Sequence, residues 1–188
     1  MMRIISGNLK NKKLLQPIDN YTRPLKDLVK ESIFNIIDHS KFVNLSIENS
    51  KVLDLFSGSG SFGLECISRG AEEVLFCENY DPAIKILKKN IANLKCMKKT
   101  DLYMEDVFKI LKKKSFLENK FNIIFLDPPF KERKINELLQ NIYNLNILDK
   151  KGIIILHRNK KDKEFFSQKF KIKIEKTYGL SKIIIGSF

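Results

Sequence analysis

The chain has little with which to make disulfides or to hold a metal. Its three cysteines, Cys66, Cys77 and Cys96, are odd in number, form no C-x-x-C pair and sit among hydrophobic positions, so buried thiols are expected rather than bridges or ligands. The two histidines, His39 and His157, carry no zinc-ligand spacing around them, and no metal site is expected. Long apolar runs are also missing: nothing approaches the roughly 20 residues of a membrane span. The opening Met1-Met2-Arg3-Ile4-Ile5-Ser6-Gly7 lacks the apolar core and cleavage site of a secretory signal, which points to a cytoplasmic protein without a membrane partner. Arginine is scarce as well, so the formal net charge of +13 and pI near 9.6 come mostly from lysine. Such charge suits a polyanionic partner, because lysines bound to phosphates release condensed counterions. A biased composition rich in Lys, Ile and Asn would produce the same excess.

What is present fits one domain of 188 residues, large enough to bury a core without staples. Residues 1–20 form a basic opening with no acid before Asp19, in which two β-prone arms flank the turn-prone Ser6-Gly7-Asn8 and predict a hairpin. Residues 21–40 form a helical lead-in: Leu25, Leu28, Val29, Ile33, Ile36 and Ile37 recur at helical spacing after Pro24. From residue 51, short apolar runs alternate with amphipathic stretches. Strands are predicted at 52–56, 73–78, 100–104, 121–126 and 152–157, with helices between them, and β-prone segments at 170–177 and 181–187 predict a closing antiparallel hairpin. This is an α/β fold, the methyltransferase variant of the doubly wound sheet.

Two constellations carry chemistry. In Asp54-Leu55-Phe56-Ser57-Gly58-Ser59-Gly60-Ser61-Phe62-Gly63 a strand runs into G-x-G-x-x-G and then a helix, a pattern that lets backbone approach a ligand. It fits a dinucleotide or S-adenosylmethionine, or simple packing of strand on helix. Glu78, at the end of the second strand, suits ribose hydroxyls in either case. Asp54, inside the first strand, favours a methyltransferase, where such an acid organises the glycine loop and the methionine ammonium. Asp106, after the third strand, suits an adenine amine or caps the helix at 107–113.

The second constellation is Asp127-Pro128-Pro129-Phe130 at the end of a central strand. The prolines stiffen the loop. An exocyclic base amine is a poor nucleophile because its lone pair is delocalised into the ring. Acceptors at its two hydrogens, Asp127 and the Pro128 carbonyl, favour a pyramidal nitrogen and stabilise the charge that develops on it. Phe130 can stack on the base. A sulfonium methyl donor is already activated, so positioning and electrostatics suffice without metal or covalent intermediate.

Together these residues resemble the RsmD-type guanine N(2)-methyltransferases of 16S ribosomal RNA along essentially the whole chain. The matching segments are Met2-Arg3-Ile4-Ile5-Ser6-Gly7, Thr22-Arg23-Pro24 leading to Asp27, Val29-Lys30-Glu31 and Phe34-Asn35, the loop from Asp54 to Glu65, Ser68-Arg69, and Asp127 to Phe130. Leu25 and Leu28 depart from it, standing where members usually have a hydroxyl residue and an arginine. The resemblance implies a class I S-adenosylmethionine-dependent methyltransferase fold with a seven-stranded sheet, and methyl transfer to one guanine amine of small-subunit RNA. It implies a catalytic set of Asp127, Pro128, Pro129 and Phe130, and a cofactor set of Asp54, Phe56, Ser57, Gly58, Ser59, Gly60, Glu78, Asn79 and Asp106. RNA contacts are expected from Arg3, Lys10, Lys12, Lys13 and Arg23. The chain is expected to act as a monomer, on 16S RNA within a small-subunit particle. The rivals are an adenine N(6)-methyltransferase, a nicotinamide-dependent oxidoreductase, and a non-catalytic RNA-binding or assembly protein of the same fold.

Overall fold

The computed structural model describes residues 2–19, 25–113, 120–163 and 165–188. Its elements follow in the order α1 (Asp27–His39), β1 (Lys51–Leu55), α2 (Ser61–Ser68), β2 (Glu73–Cys77), α3 (Asp81–Asn93), β3 (Thr100–Tyr103), α4 (Val107–Ile110), β4 (Phe121–Leu126), α5 (Ile135–Leu145), β5 (Leu148–Asn159), β6 (Lys171–Tyr178) and β7 (Ser181–Ser187). One seven-stranded sheet runs in the order β3-β2-β1-β4-β5-β7-β6. The first five strands are mutually parallel, and β7 is antiparallel to both β5 and β6. The expected mostly parallel sheet with a terminal antiparallel hairpin is therefore present.

The central strands read as continuous apolar runs because both faces are covered. Their residues nevertheless alternate between two cores. Val52, Val74, Phe76, Ile123, Phe125, Ile153, Ile155, Ile183 and Ile185 pack on the side of α1, α2 and α3. Leu53, Leu55, Leu75, Leu126, Ile124, Ile154, Leu156 and Ile184 pack on the side of α4 and α5. This period of two fixes where the strand-end polar residues point. Asp54 shares the parity of Val52 and faces α2, and Asp127 and His157 share the parity of Phe125 and Ile155. Arg158 falls on the opposite face.

The opening segment is less of a hairpin than its composition suggests. Its arms meet in a single antiparallel bridge, Arg3 to Lys13, flanked by Ile4 N to Lys12 O at 2.9 Å and Leu14 N to Met2 O at 3.0 Å. Tertiary contacts hold it instead of a ladder. Met2, Ile4 and Leu14 are buried in the α1–α2–α3 core. Gly7, at φ +83°, lies against the end of α2, where a Cβ would come 1.9 Å from Ser68 O, so only glycine fits. Glu65 of α2 is fully buried and accepts from Ile5 N (2.7 Å), Ser6 N (2.8 Å) and Arg69 Nε (3.1 Å). Lys30 of α1 donates to Arg3 O at 2.7 Å and lies 3.5 Å from Glu65. Burial pulls the Lys30 ammonium below its ordinary range, and Glu65 and Asp27 oppose that pull. Lys30 and Glu65 thus tie the opening segment to α1 and α2.

Other boundaries moved by a few residues. Strand β5 begins earlier than expected and α4 is a single turn ending at Ile110. Pro24, expected at the start of α1, lies outside the described residues. All three cysteines are buried free thiols, and burial pushes each of them up, which leaves them unreactive. No described helix is long and apolar enough to cross a membrane.

Candidate active site

In open α/β sheets, ligands bind outside the carboxyl ends of the strands. Here a cavity of about 600 Å³ opens there, at the ends of β1, β2 and β4. The loop after β1 supplies Phe56, Ser57, Gly58 and Ser59, the end of β2 supplies Glu78, Asn79 and Tyr80, and the loop after β4 supplies Asp127, Pro128, Pro129, Phe130 and Lys131. Phe62 and Phe125 also line it, their rings stacked at a centroid distance of 4.0 Å, with Phe34 stacked on Phe62 behind them. Gln16, Pro17 and Leu25 complete a wall from the segment that follows the opening hairpin.

The glycines of the first loop divide into two jobs. Gly58 has φ +55° and nothing within 4 Å of where a Cβ would sit, so its backbone faces open space. Gly60 has φ +80° and its Cβ would lie 2.3 Å from Leu87 Cδ1, whereas a Cβ on Gly63 would lie 2.4 Å from the Phe76 ring. Gly58 thus suits close approach of a ligand, and the other two let α2 pack on β2 and α3. Phe56 takes the left-handed conformation at φ +62°, an unfavourable state for a large side chain that marks this turn as constrained. Ser57 ties the loop to β2: its hydroxyl accepts from Cys77 N at 3.0 Å, and its N–H donates to Cys77 O at 3.0 Å.

Two carboxylates organise this half. Glu78 accepts from Gly58 N through one oxygen (2.7 Å) and from Asn79 N (2.9 Å) and Tyr80 N (3.0 Å) through the other. Asp54 is 1% exposed and accepts from Gly63 N at 3.0 Å through Oδ2. Its Oδ1 is buried and has no hydrogen-bond partner among the described residues. Burial pushes the Asp54 carboxyl well above the usual carboxylate range. The Gly63 N–H opposes the shift, and the nearby charges of Asp127 and Glu78 reinforce it. Among the described residues the lining is therefore acidic in a strongly basic protein: Asp54, Glu78 and Asp127 face the cavity with one cation, Lys131.

The other half centres on Asp127. Register pairs Leu126 of β4 with Leu156 of β5, so the next residues, Asp127 and His157, fall side by side on the same face. His157 Nδ1 lies 2.8 Å from Asp127 Oδ1, and the Phe130 ring meets the imidazole edge-on at 6.0 Å. Arg158, only 1% exposed, donates to Pro129 O (3.2 Å) and Glu132 O (2.9 Å) and pairs with Asp162 at 3.3 Å.

All four residues of D-P-P-F and all of the expected cofactor set except Gly60 and Asp106 line the cavity. Gly60 sits behind it. Asp106 is a helix cap: its Oδ1 accepts from Phe108 N (2.9 Å) and Lys109 N (3.3 Å), and its Oδ2 lies 3.4 Å from Asn79 Nδ2, at the margin of the site. Arg3, Lys10, Lys12 and Lys13 are exposed on the opening segment, and Arg23 lies outside the described residues. Of the two departures from the family pattern, Leu25 is buried in the cavity wall and Leu28 is exposed.

Sequence reasoning missed several groups. His157 and Arg158 stand at the carboxyl end of the strand that neighbours β4, and that position was their signal. Asn90, 1% exposed in α3, had none: its amide joins Leu15 N and O to Ser59 O at 2.8–3.0 Å and so fastens the opening segment to the glycine loop.

Known proteins agree with this architecture. The family described as conserved hypothetical protein 95 matches residues 2–187. "Putative rRNA methyltransferase YlbH" of Bacillus subtilis is 37% identical over 159 residues, 85% of this chain and 83% of its own length. Ribosomal RNA small subunit methyltransferase D of Haemophilus influenzae is 31% identical over 180 residues, 95% of this chain and 90% of its own. Among solved structures, "Putative methyltransferase yhhF from Escherichia coli" superposes with a TM-score of 0.83 at 26% identity, covering 98% of this chain and 96% of that one. The chain belongs to this family, the RsmD-type methyltransferases.

Proposed function

We propose that this protein transfers a methyl group from S-adenosylmethionine to the exocyclic 2-amino group of one guanine in small-subunit ribosomal RNA. That it is an rRNA methyltransferase follows from its family. The donor, the base and the roles of single residues are the finer reading. One observation carries it: the acceptor loop at Asp127 opens into the same cavity as the buried Asp54, whose Oδ1 has no hydrogen-bond partner among the described residues.

A buried carboxylate oxygen without a partner is costly, and a cationic ligand group would satisfy it. Among the described lining residues, three acids with one lysine favour a donor bearing an ammonium and a sulfonium over the diphosphate of a nicotinamide dinucleotide. The residues therefore fit S-adenosylmethionine: Asp54 for the ammonium, Gly58 and Ser59 for close backbone approach, and Glu78 for the ribose. When bound, this donor supplies a methyl group already activated by the sulfonium charge. Asp127 and the Pro128 carbonyl accept the two amine hydrogens, pulling the nitrogen lone pair out of the ring and stabilising the positive charge that builds there. Phe130 stacks on the extruded base. The amine proton leaves through Asp127 to solvent.

The test is transfer from labelled donor to small-subunit particles and to bare 16S RNA, followed by mass spectrometry of the digested nucleosides. N(2)-methylguanosine is expected. N(6)-methyladenosine, or no transfer by folded protein that binds the donor, would overturn the reading.

A further inference from the structure

We propose that His157 is a positioning residue for methyl transfer, which holds Asp127 in its accepting orientation through an Nδ1–H donor, with Arg158 fixing the rest of the acceptor loop. This rests on the role proposed for Asp127. An aspartate at the end of a strand can swing its carboxylate among rotamers, and an acceptor displaced by 1 Å loses much of its effect. The imidazole removes that freedom. It is 1% exposed, its ring is fixed by the strand and by Phe130, and its Nδ1 is 2.8 Å from Asp127 Oδ1, which leaves Oδ2 as the oxygen for the amine. His157 itself does not line the cavity, so it acts on substrate only through Asp127.

The chemistry of the donor matters as much as its place. A neutral imidazole protonated on Nδ1 supplies a hydrogen bond with no formal charge, so Asp127 keeps its own negative charge for the developing cation. The permanently charged group at this strand end, Arg158, projects from the opposite face and bonds the Pro129 and Glu132 carbonyls and Asp162. Holding the Pro129 carbonyl fixes the peptide between Pro129 and Phe130, one residue beyond the Pro128 carbonyl that serves as the second acceptor. The dipeptide His157-Arg158 thus holds Asp127 from one face of β5 and the loop just beyond Pro128 from the other.

Three measurements test this. His157→Asn keeps an N–H donor near the position of Nδ1 and loses the ring, and His157→Phe keeps a ring against Phe130 and loses the donor. Single-turnover transfer is expected to stay within about fivefold of wild type for His157→Asn and to fall about 10–100-fold for His157→Phe, while donor affinity is unchanged in both. Thermal unfolding on the same samples separates this from packing: rates that follow the loss of stability, or a His157→Phe variant at the wild-type rate, overturn the proposal. Nitrogen-15 spectra of labelled histidine give a readout independent of activity, because the exposed His39 is the only other histidine. His157 is expected as the Nδ1–H tautomer, and that preference should weaken in Asp127→Ala. An Nε2–H tautomer in the wild type overturns the donor assignment. If Asp127→Asn transfers at the wild-type rate, the proposed function fails first; if Asp127→Asn is inactive and His157→Phe is not, only this inference fails.

Discussion

The β1–β2 half of the cavity and the β4–β5 half are held by different means. In the first half the fixing contacts are made by backbone: Glu78 takes three N–H groups, Asp54 takes Gly63 N, and Gly58, Gly60 and Phe56 hold left-handed turns. In the second half they are made by side chains reaching across from the neighbouring strand, His157 to Asp127 and Arg158 to the Pro129 and Glu132 carbonyls. In the proposed function, the first half receives the methyl donor and the second aims two acceptors at the amine, a task in which a small rotation matters more than the contact energy does.

The largest expected effect breaks the second half while sparing the first. Asp127→Asn retains size and one acceptor but removes the negative charge, and its amide can present a donor where acceptance is required. Single-turnover transfer is expected to fall about 10²–10³-fold, the scale seen when one preorganised electrostatic group is removed. Donor affinity and unfolding temperature should stay near wild type. Folded Asp127→Asn transferring at the wild-type rate would show that the carboxylate does nothing at the amine.

This division also explains what was legible in the sequence. A glycine at positive φ, or one whose added Cβ would lie 2.4 Å from an aromatic ring as at Gly63, resists replacement, so the backbone-built half leaves a spaced signature in one short segment. What the spacing could not tell was that Gly58 faces open space while Gly60 and Gly63 are packing positions. The sheet was readable for a similar reason, since buried parallel strands appear as apolar runs whose order is constrained by handed crossovers. D-P-P-F was readable as a loop, but its clamps were not, because His157 is 30 residues away from Asp127 and becomes its neighbour only through the β4–β5 register. The opening segment reads as a hairpin from its β-prone arms and turn, yet the arms meet in one bridge, and buried Met2, Ile4 and Leu14 with the Lys30–Glu65 pair dock it on the core.

The next effect sharpens the first half. Burial raises the Asp54 carboxyl, so in the ligand-free protein its charged form is disfavoured. The sign follows from linkage: a raised carboxyl costs nothing at low pH, where it is protonated folded or unfolded, and the cost appears as pH rises from the ordinary carboxylate range towards the raised value. Asp54→Asn should therefore stabilise the ligand-free protein towards neutral pH relative to wild type. A bound cation reverses the preference, so donor affinity should rise with pH over the same window and binding should release protons. Calorimetry in two buffers of different ionisation heat measures this. Asp54→Asn should bind the donor about 10–100-fold more weakly, as for loss of a charged hydrogen bond worth about 1.5–3 kcal/mol. Affinity independent of pH would remove Asp54 from the ammonium site.

Phe130→Ala returns to the second half with a smaller change. Removing the ring should weaken base capture by about 1–3 kcal/mol, the usual worth of one stacking contact, without altering donor affinity. The loss should appear in the RNA concentration needed for half-maximal rate more than in the saturated rate. A purely saturated-rate defect would indicate that the ring acts through its edge-on contact with His157 instead.

The smallest effect concerns neither half but the outer face of the opening segment, where Lys10, Lys12 and Lys13 are exposed beside Arg3. The described lining of the cavity is acidic and repels a polyanion, so attraction by the +13 charge is expected at the exterior. If these lysines meet phosphates, each contact releases counterions, and the plot of log affinity against log salt should flatten by roughly 0.7–0.9 per contact removed. Replacing all three with alanine should therefore weaken RNA binding most at low salt and little at high salt. The fold should survive, because the buried residues of the segment, Met2, Ile4 and Leu14, and its bonds to Glu65 are untouched. The measurement is equilibrium binding of a 16S fragment across a salt series, with the triple variant beside a control that replaces three equally exposed lysines of β6, Lys171, Lys173 and Lys176. A flattening confined to the opening-segment variant assigns the contact to it. Equal flattening in both would mean that the charge attracts RNA without choosing a surface, and an unchanged slope in both would leave the lysines as a solvated exterior produced by composition alone.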